Sequence, residues 1–329
     1  MNERLLKMNS TAHTASGVGG CLNETMSPTP LTSFIALTLL LATAQSAAAI
    51  QTAPSAEIVT GSATEVTVTW QPASVPQGTL FRVTVTPDAG SVDQVTGVFA
   101  DERLHFEPGL DGSLVALAAA PIDTRGEEDL RLEVRAGEGG SETMVLPVPI
   151  VEGDYRMQEL TVAPEFGRPQ PAEIQERINE ESARAMSVAR RSHDTPRMWE
   201  PPFVAPRESQ ITSGFGHGRI FNEQVTSRHM GTDFRGAVGA PIRAPARGVV
   251  ALVDAFYLGG NVLYLDHGGG LVTGYLHLSE HEVEEGEIVE PGQVIARVGA
   301  TGRVTGPHLH WLVRYGTITV DGMSLLELE

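Results

Sequence analysis

Two histidines separated by a single residue, His308-Leu309-His310, open the search for chemistry in this chain. In a strand, residues two apart face the same side. Both imidazoles would then enter one space, while Leu309, Trp311, Val313 and Tyr315 form an apolar row on the other side. Histidines placed this way can supply one metal ligand and one neighbouring acid or base. Upstream, His229-Met230-Gly231-Thr232-Asp233 sets a carboxylate four positions after an imidazole, with a glycine between them that permits a tight backbone path. Zinc accepts imidazole nitrogen and carboxylate oxygen, and a catalytic site needs three protein ligands and one position left to water; His229, Asp233 and His310 make such a set. Two neutral imidazoles and one carboxylate leave the ion a net positive charge, which lowers the pKa of its water toward about 7 and polarises a carbonyl. The third segment is Tyr275-Leu276-His277-Leu278, where strand alternation predicts Tyr275 and His277 on one face and Leu276 and Leu278 turned to the core. Histidines that do not ligate the ion can orient the water, take its proton and stabilise an oxyanion.

The elements around these residues read as strands. GVVALV, NVLYLD, LVTGYLHL, GQVIARVG and HLHWLVRY are separated by GG, DHGGG, EEGE and TGRVTG, so an all-β, hairpin-rich domain is expected over 211–329. A second set of short alternating runs (EVTVTW, TLFRVTVT, LVALAAA, LRLEVRA, TMVLPVPIV) occupies 50–153, with breaks rich in Pro, Gly, Asp and Ser. That spacing suits a small antiparallel sandwich, immunoglobulin-like in type. It carries no histidine cluster or phosphate loop and is read as a scaffold or substrate-positioning module. Between the two, 154–210 holds one amphipathic helix, PAEIQERINEESARAMSVARR, with Ile174, Ile178 and Met186 at helical spacing, proline at its first turn and arginines at its end. A proline-rich stretch follows, with Trp199 and Phe203 as packing anchors for a linker draped over a neighbour.

Residues 1–49 read as an export leader: the apolar core from Phe34 to Ala44 is too short for a stable span, and the alanines after it offer an A-x-A cleavage site. Export implies the periplasm or cell envelope. The single cysteine, Cys21, falls in this leader, so the mature chain would have no disulfide and no thiol nucleophile. The one lysine, Lys7, lies there too, which removes Schiff-base and lysyl-carrier chemistry. A net charge of -18 with no Lys/Arg-rich run excludes nucleic acid as a partner.

The segments SRHMGTDF, NVLYLDHGGGLVTGYLHLS and PGQVIARVGATGRVTGPHLHW together resemble the catalytic domain of the LytM/lysostaphin-like zinc endopeptidases, the M23 peptidase family, over roughly Ile211 to Met323. The resemblance implies a lysostaphin-like, barrel-sandwich-hybrid-like β fold. It also implies Zn2+ held by His229, Asp233 and His310, with His277 and His308 as the catalytic histidines. All five positions are filled, unlike degenerate members that only activate other enzymes. By the same resemblance the substrate is peptidoglycan, cut in its stem peptides or cross-links, with the D-Ala to diaminopimelate bond as the target. Arg228, Asn261 and Tyr275 are groove candidates by position alone.

Other conspicuous residues receive plainer readings. His267 in DHGGG is expected to cap its turn and His217 to rim the groove, while His105, His193 and His281 are read as surface or linker residues without partners. Two rival functions share parts of this pattern. PGQVIARVG resembles the hairpins of lipoyl and biotinyl carriers, but no lysine is there for attachment. A non-catalytic or autoinhibited peptidoglycan-binding regulator of cell-wall amidases is the other; a complete ligand set speaks against it, and a regulatory protein partner stays open.

Overall fold

The computed structural model describes residues 66–88, 92–109, 111–135, 141–160, 171–221 and 224–328. The expected leader therefore lies outside the described residues. Among those described, no helix is long and apolar enough to cross a membrane.

The chain is mainly β. Its first part is a two-sheet sandwich. One sheet orders Val66–Gln71, Leu80–Pro87, Leu114–Ala119 and Glu107–Pro108; the other orders Val75–Pro76, Ser141–Val151, Gly126–Arg135, Gln94–Phe99 and Glu102–Leu104. Strict period-two burial fixes the facing: Leu130, Leu132 and Val134 point inward from one strand and Met144, Leu146, Val148 and Ile150 from its neighbour, while the residues between them face out. Phe81 and Phe99 close the middle edge to face, their ring centroids 5.0 Å apart.

Helix α1, Ala172–Arg191, forms where the amphipathic pattern predicts it. Its buried stripe includes Ala185 and Val188, and these pack on Val262, Tyr264, Val272 and Leu312 at the back of the second domain's sheet. Glu181 is also in that stripe. Its carboxylate is satisfied by the Tyr257 N–H at 2.7 Å and by Arg177 at 2.6 Å, which makes its burial tolerable. The proline-rich stretch then crosses the turn at Asp266–Gly268: Met198 N–H donates to the His267 carbonyl and the Trp199 indole N–H to that of Gly268. Trp199 and Phe203 are buried side by side, as anchors should be.

The C-terminal part is a ten-stranded antiparallel sheet whose central path runs Ile211–Ser213, Thr232–Arg235, His308–Tyr315, Leu271–His281, Gly260–Gly268, Gly248–Phe256 and Ile288–Val289. His308–Tyr315 lies in the middle. Its odd-numbered residues Leu309, Trp311, Val313 and Tyr315 fill the main core, so His308 and His310 emerge from the opposite face. In register, Asp233 stands across from His310 on one side and Leu276 on the other. A short helix not anticipated from the sequence, Gly322–Leu326, ends the chain; Asp321 caps it by accepting from Met323 N–H at 3.0 Å.

Candidate active site

His229, Asp233 and His310 converge at one end of the central sheet. His229 Nε2 is 3.1 Å from Asp233 Oδ1 and 3.0 Å from His310 Nδ1, and His310 Nδ1 is 2.9 Å from the same carboxylate oxygen. The strand register does most of this. Directly opposed residues of an antiparallel pair project from the same face, which brings Asp233 and His310 together without a loop. Gly231 matters through its missing Cβ rather than an unusual backbone angle: a methyl there would sit 2.5 Å from His310 Nε2. Any larger residue would push the ligand ring aside.

His229 is held from outside the sheet. Its backbone N–H donates to the His217 carbonyl at 2.9 Å, its carbonyl accepts from Gly216 N–H at 2.7 Å, and its Nδ1 donates to the Gly214 carbonyl at 2.8 Å. Fixing the proton on Nδ1 leaves the Nε2 lone pair aimed at Asp233 and His310. His308 uses the same device, with Nδ1 on the Gly306 carbonyl at 2.8 Å; its Nε2 comes within 3.6 Å of Asp233 Oδ1.

His277 reaches the site by a route that simple alternation does not predict. Tyr275 stands opposite Trp311 and is fully buried in the core, its hydroxyl 2.9 Å from that of Thr273. Leu276, opposite His310, takes the site face. Regular pleating would then send His277 into the core. Instead the pairing moves from Leu263↔Tyr275 to Asn261↔Leu278, two residues on one strand against three on the other, and His277 absorbs the extra residue at φ 64°. That left-handed turn restores the His277 ring to the side of His308, with centroids 4.9 Å apart, and lets Leu278 return to the core. A non-glycine residue held at positive φ costs about 1–3 kcal/mol, a strain typical of functional positions. The Thr301 carbonyl accepts from His277 Nδ1 at 3.0 Å, which again leaves Nε2 toward the centre.

The pKa directions follow from this packing. Burial works against charge on Asp233, but the imidazoles of His229 and His310 beside it outweigh burial and hold the carboxyl far below the usual aspartate range. Burial pushes His277 down to about 4, opposed by the Thr301 carbonyl, and burial likewise lowers His310. Both rings are therefore neutral at pH 7, the form that ligates a metal or accepts a proton.

Whether the donor set fits a metal can be judged from spacing. Atoms bonded tetrahedrally to zinc at about 2.0–2.2 Å lie about 3.3–3.6 Å from one another. The three separations here fall slightly short of that range, and two of the three donors are neutral imidazoles fixed in the right tautomer or poised by the carboxylate. Among the described residues this is the one such group of three. The set suits a divalent zinc-like ion.

The groove candidates separate. Tyr275 is a correction: being fully buried, it lines no groove. Asn261 braces the bulge, donating from Nδ2 to the Leu278 carbonyl at 3.1 Å, and Arg228 reaches the sandwich residue Asp123 at 3.5 Å. Two histidine readings also change. His267 does not cap its turn; Asp266 does, by accepting from Gly268 N–H, while His267 is wholly buried between the Arg247 carbonyl and the Thr273 hydroxyl. His105 and His193 are partnered, His105 Nε2 to His193 Nδ1 at 2.9 Å and His193 Nε2 to Glu102 at 2.8 Å. Sequence reasoning missed the three backbone acceptors Gly214, Thr301 and Gly306. Their signal was the glycine-rich composition of SGFGHG and GATGRVTG, which brings main chain close to imidazole.

A sheet that presents two imidazoles and a carboxylate at one point, with two further imidazoles beside it, has the make-up of a metallopeptidase domain. Residues 227–322 match the model of Peptidase family M23. The chain is 44% identical over 118 residues to the peptidoglycan DD-endopeptidase ShyB of Vibrio cholerae, a match covering 35% of this chain and 27% of the relative. It is 37% identical over 117 residues to the DD-carboxypeptidase/endopeptidase Mpg of Neisseria meningitidis, covering 36% and 27%. A candidate M23 peptidase of Pseudomonas aeruginosa, known from its crystal structure, superposes with a TM-score of 0.57 at 27% identity, covering 77% of this chain and 94% of that one. The matches to the two curated relatives span about a quarter of their length.

Proposed function

We propose that this chain is a zinc-dependent endopeptidase of the cell envelope that hydrolyses peptide bonds in peptidoglycan stem peptides or cross-links, with the D-Ala to diaminopimelate bond as its target. The observation that carries this reading is the convergence of His229 Nε2, Asp233 Oδ1 and His310 Nδ1, each pair 2.9–3.1 Å apart, beside the rings of His277 and His308. The bond is supported by ShyB, named a peptidoglycan DD-endopeptidase, and by Mpg, named a DD-carboxypeptidase/endopeptidase. An exported location agrees with that substrate and with the leader-like N-terminus.

Zinc, when bound by these three residues, supplies Lewis acidity that makes water nucleophilic at neutral pH and polarises the scissile carbonyl. The rest is the work of the chain. His277 and His308 each have Nδ1 tied to a backbone carbonyl, so Nε2 of one can take a proton from the attacking water and return it to the leaving amine. The other, when protonated at both nitrogens, can donate through Nε2 to the developing oxyanion. Their rings arrive pre-set on a rigid sheet and a braced bulge, which removes most of the reorganisation the reaction would otherwise require.

The test is digestion of defined cross-linked muropeptides by the purified protein, with the fragments identified by mass spectrometry. Cleavage at the D-Ala to diaminopimelate bond, abolished by a chelator and restored by zinc, is expected. Intact muropeptides after prolonged incubation with the zinc-loaded protein would contradict the reading.

A further inference from the structure

The loop that orients His229 is gripped by the sandwich domain. Gly214 to His217 supplies three of the contacts that hold His229: the Gly214 carbonyl on Nδ1, and the two backbone bonds from Gly216 and to His217. This loop has little of its own to rest on, since glycines occupy positions 214, 216 and 218. What it rests on is Tyr155, in the segment that leaves the last sandwich strand. The Tyr155 ring lies against Gly216, so closely that a Cβ on that glycine, itself at φ 74°, would fall 2.3 Å from the ring. The hydroxyl donates to the Gln77 carbonyl of the sandwich.

Phe215 completes the grip. It is buried, meets the Tyr155 ring edge to face at 5.8 Å, and presses on Gly78, where a Cβ would sit 2.7 Å from Phe215 and 2.5 Å from the Tyr155 hydroxyl. Gly78 is held in turn by two backbone bonds, one to Ala120 within the sandwich and one accepted from Asp321 N–H of the catalytic part, at 2.9 and 2.7 Å. A continuous set of contacts thus runs from sandwich backbone through Tyr155 and Phe215 to the Gly214 carbonyl and His229 Nδ1.

We infer that Tyr155 is a positioning residue through which the N-terminal sandwich sets the orientation of the metal ligand His229. The sandwich then has a duty beyond scaffolding: it pre-organises the centre, so its docking and the affinity for metal are linked. This rests on the zinc-peptidase reading above. Outer partners of a ligating histidine are worth about 10–100-fold in metal affinity, and Tyr155 acts one step further out.

The experiment uses the full chain and measures zinc affinity by chelator competition, with circular dichroism to establish that each variant is folded. Tyr155→Ala and Tyr155→Leu are expected to weaken zinc binding about tenfold, and to alter the visible spectrum of the cobalt-substituted protein. Tyr155→Phe, which keeps a ring on Gly216, should stay within about threefold of the unsubstituted chain. Should Tyr155→Ala fail to fold, Tyr155→Leu decides. A residue with only a structural role would lower the melting temperature and leave zinc affinity and the cobalt spectrum unchanged in the folded variants; that result overturns the inference alone. Absence of zinc binding by the unsubstituted chain would instead remove the zinc reading, and this inference with it.

Discussion

At the scale of single residues, the five polar side chains divide into ligands and their attendants by which atoms meet. His310 touches both other members of the triad through Nδ1, so His310→Ala should lose zinc and activity together. His277 and His308 meet the cluster by their rings but hold their own Nδ1 protons on Thr301 and Gly306. His277→Ala or His308→Ala is therefore expected to keep one zinc per chain while turnover falls by about 10²–10⁴, the usual worth of a positioned acid or base; metal analysis beside a rate measurement separates the two classes. Zinc lost along with turnover in either variant would move that histidine into the ligand set. These pairings were legible because HxH and HxxxD are local spacings that a strand or tight turn converts directly into proximity. The opposite facing of Tyr275 and His277 was not, because a bulge reverses alternation and leaves no residue-type signature when the left-handed position is a histidine rather than a glycine.

At the scale of elements, the bulge on Leu271–His281 is the device that delivers His277, and it is braced from a neighbouring loop. The Thr301 hydroxyl accepts from Asn261 N–H at 2.9 Å and donates to the Leu278 carbonyl at 2.9 Å, so one side chain ties both strands of the irregular pair while its carbonyl holds the imidazole. Thr301→Val should lower kcat at least tenfold with KM and zinc content little changed, and Thr301→Ser should restore it. Equal kcat in the valine variant would show that the bulge holds itself. The strands and the helix could be read from period-two and helical patterns because burial on one face imposes those periods. Tyr275 was misplaced because the alternation was phased from His277, which lies beyond the extra residue.

For the molecule as a whole, stability should depend on pH through histidines buried in the neutral form. Burial lowers His267 from 6.5 to about 4, against the opposing pull of the Arg247 carbonyl. Below about pH 6.5 the unfolded chain binds a proton at this ring that the folded chain refuses, so stability is complete above that pH and declines as pH falls toward 4. The loss approaches about 3 kcal/mol from this one residue. Melting temperature should accordingly fall across that window, with His267→Gln showing a flatter profile; a parallel decline in that variant would place the effect elsewhere. Asp233, whose pKa is depressed, adds stability that is intact above the ordinary aspartate range and is lost only as pH falls below it. The sequence suggested two β domains and a connector, yet not that they would grip one another. Contacts such as Glu102–His193–His105 or Tyr155–Gly216 join residues far apart in the chain, and no local period announces them. The central claim, that three segments share one ion, is tested most directly by X-ray absorption at the zinc edge on the purified full chain. One zinc per chain is expected, with two imidazole nitrogens and one carboxylate oxygen at about 2.0–2.2 Å, and no such signal in Asp233→Ala. No bound zinc in the unsubstituted protein, or the same ligand shell in both, would contradict it.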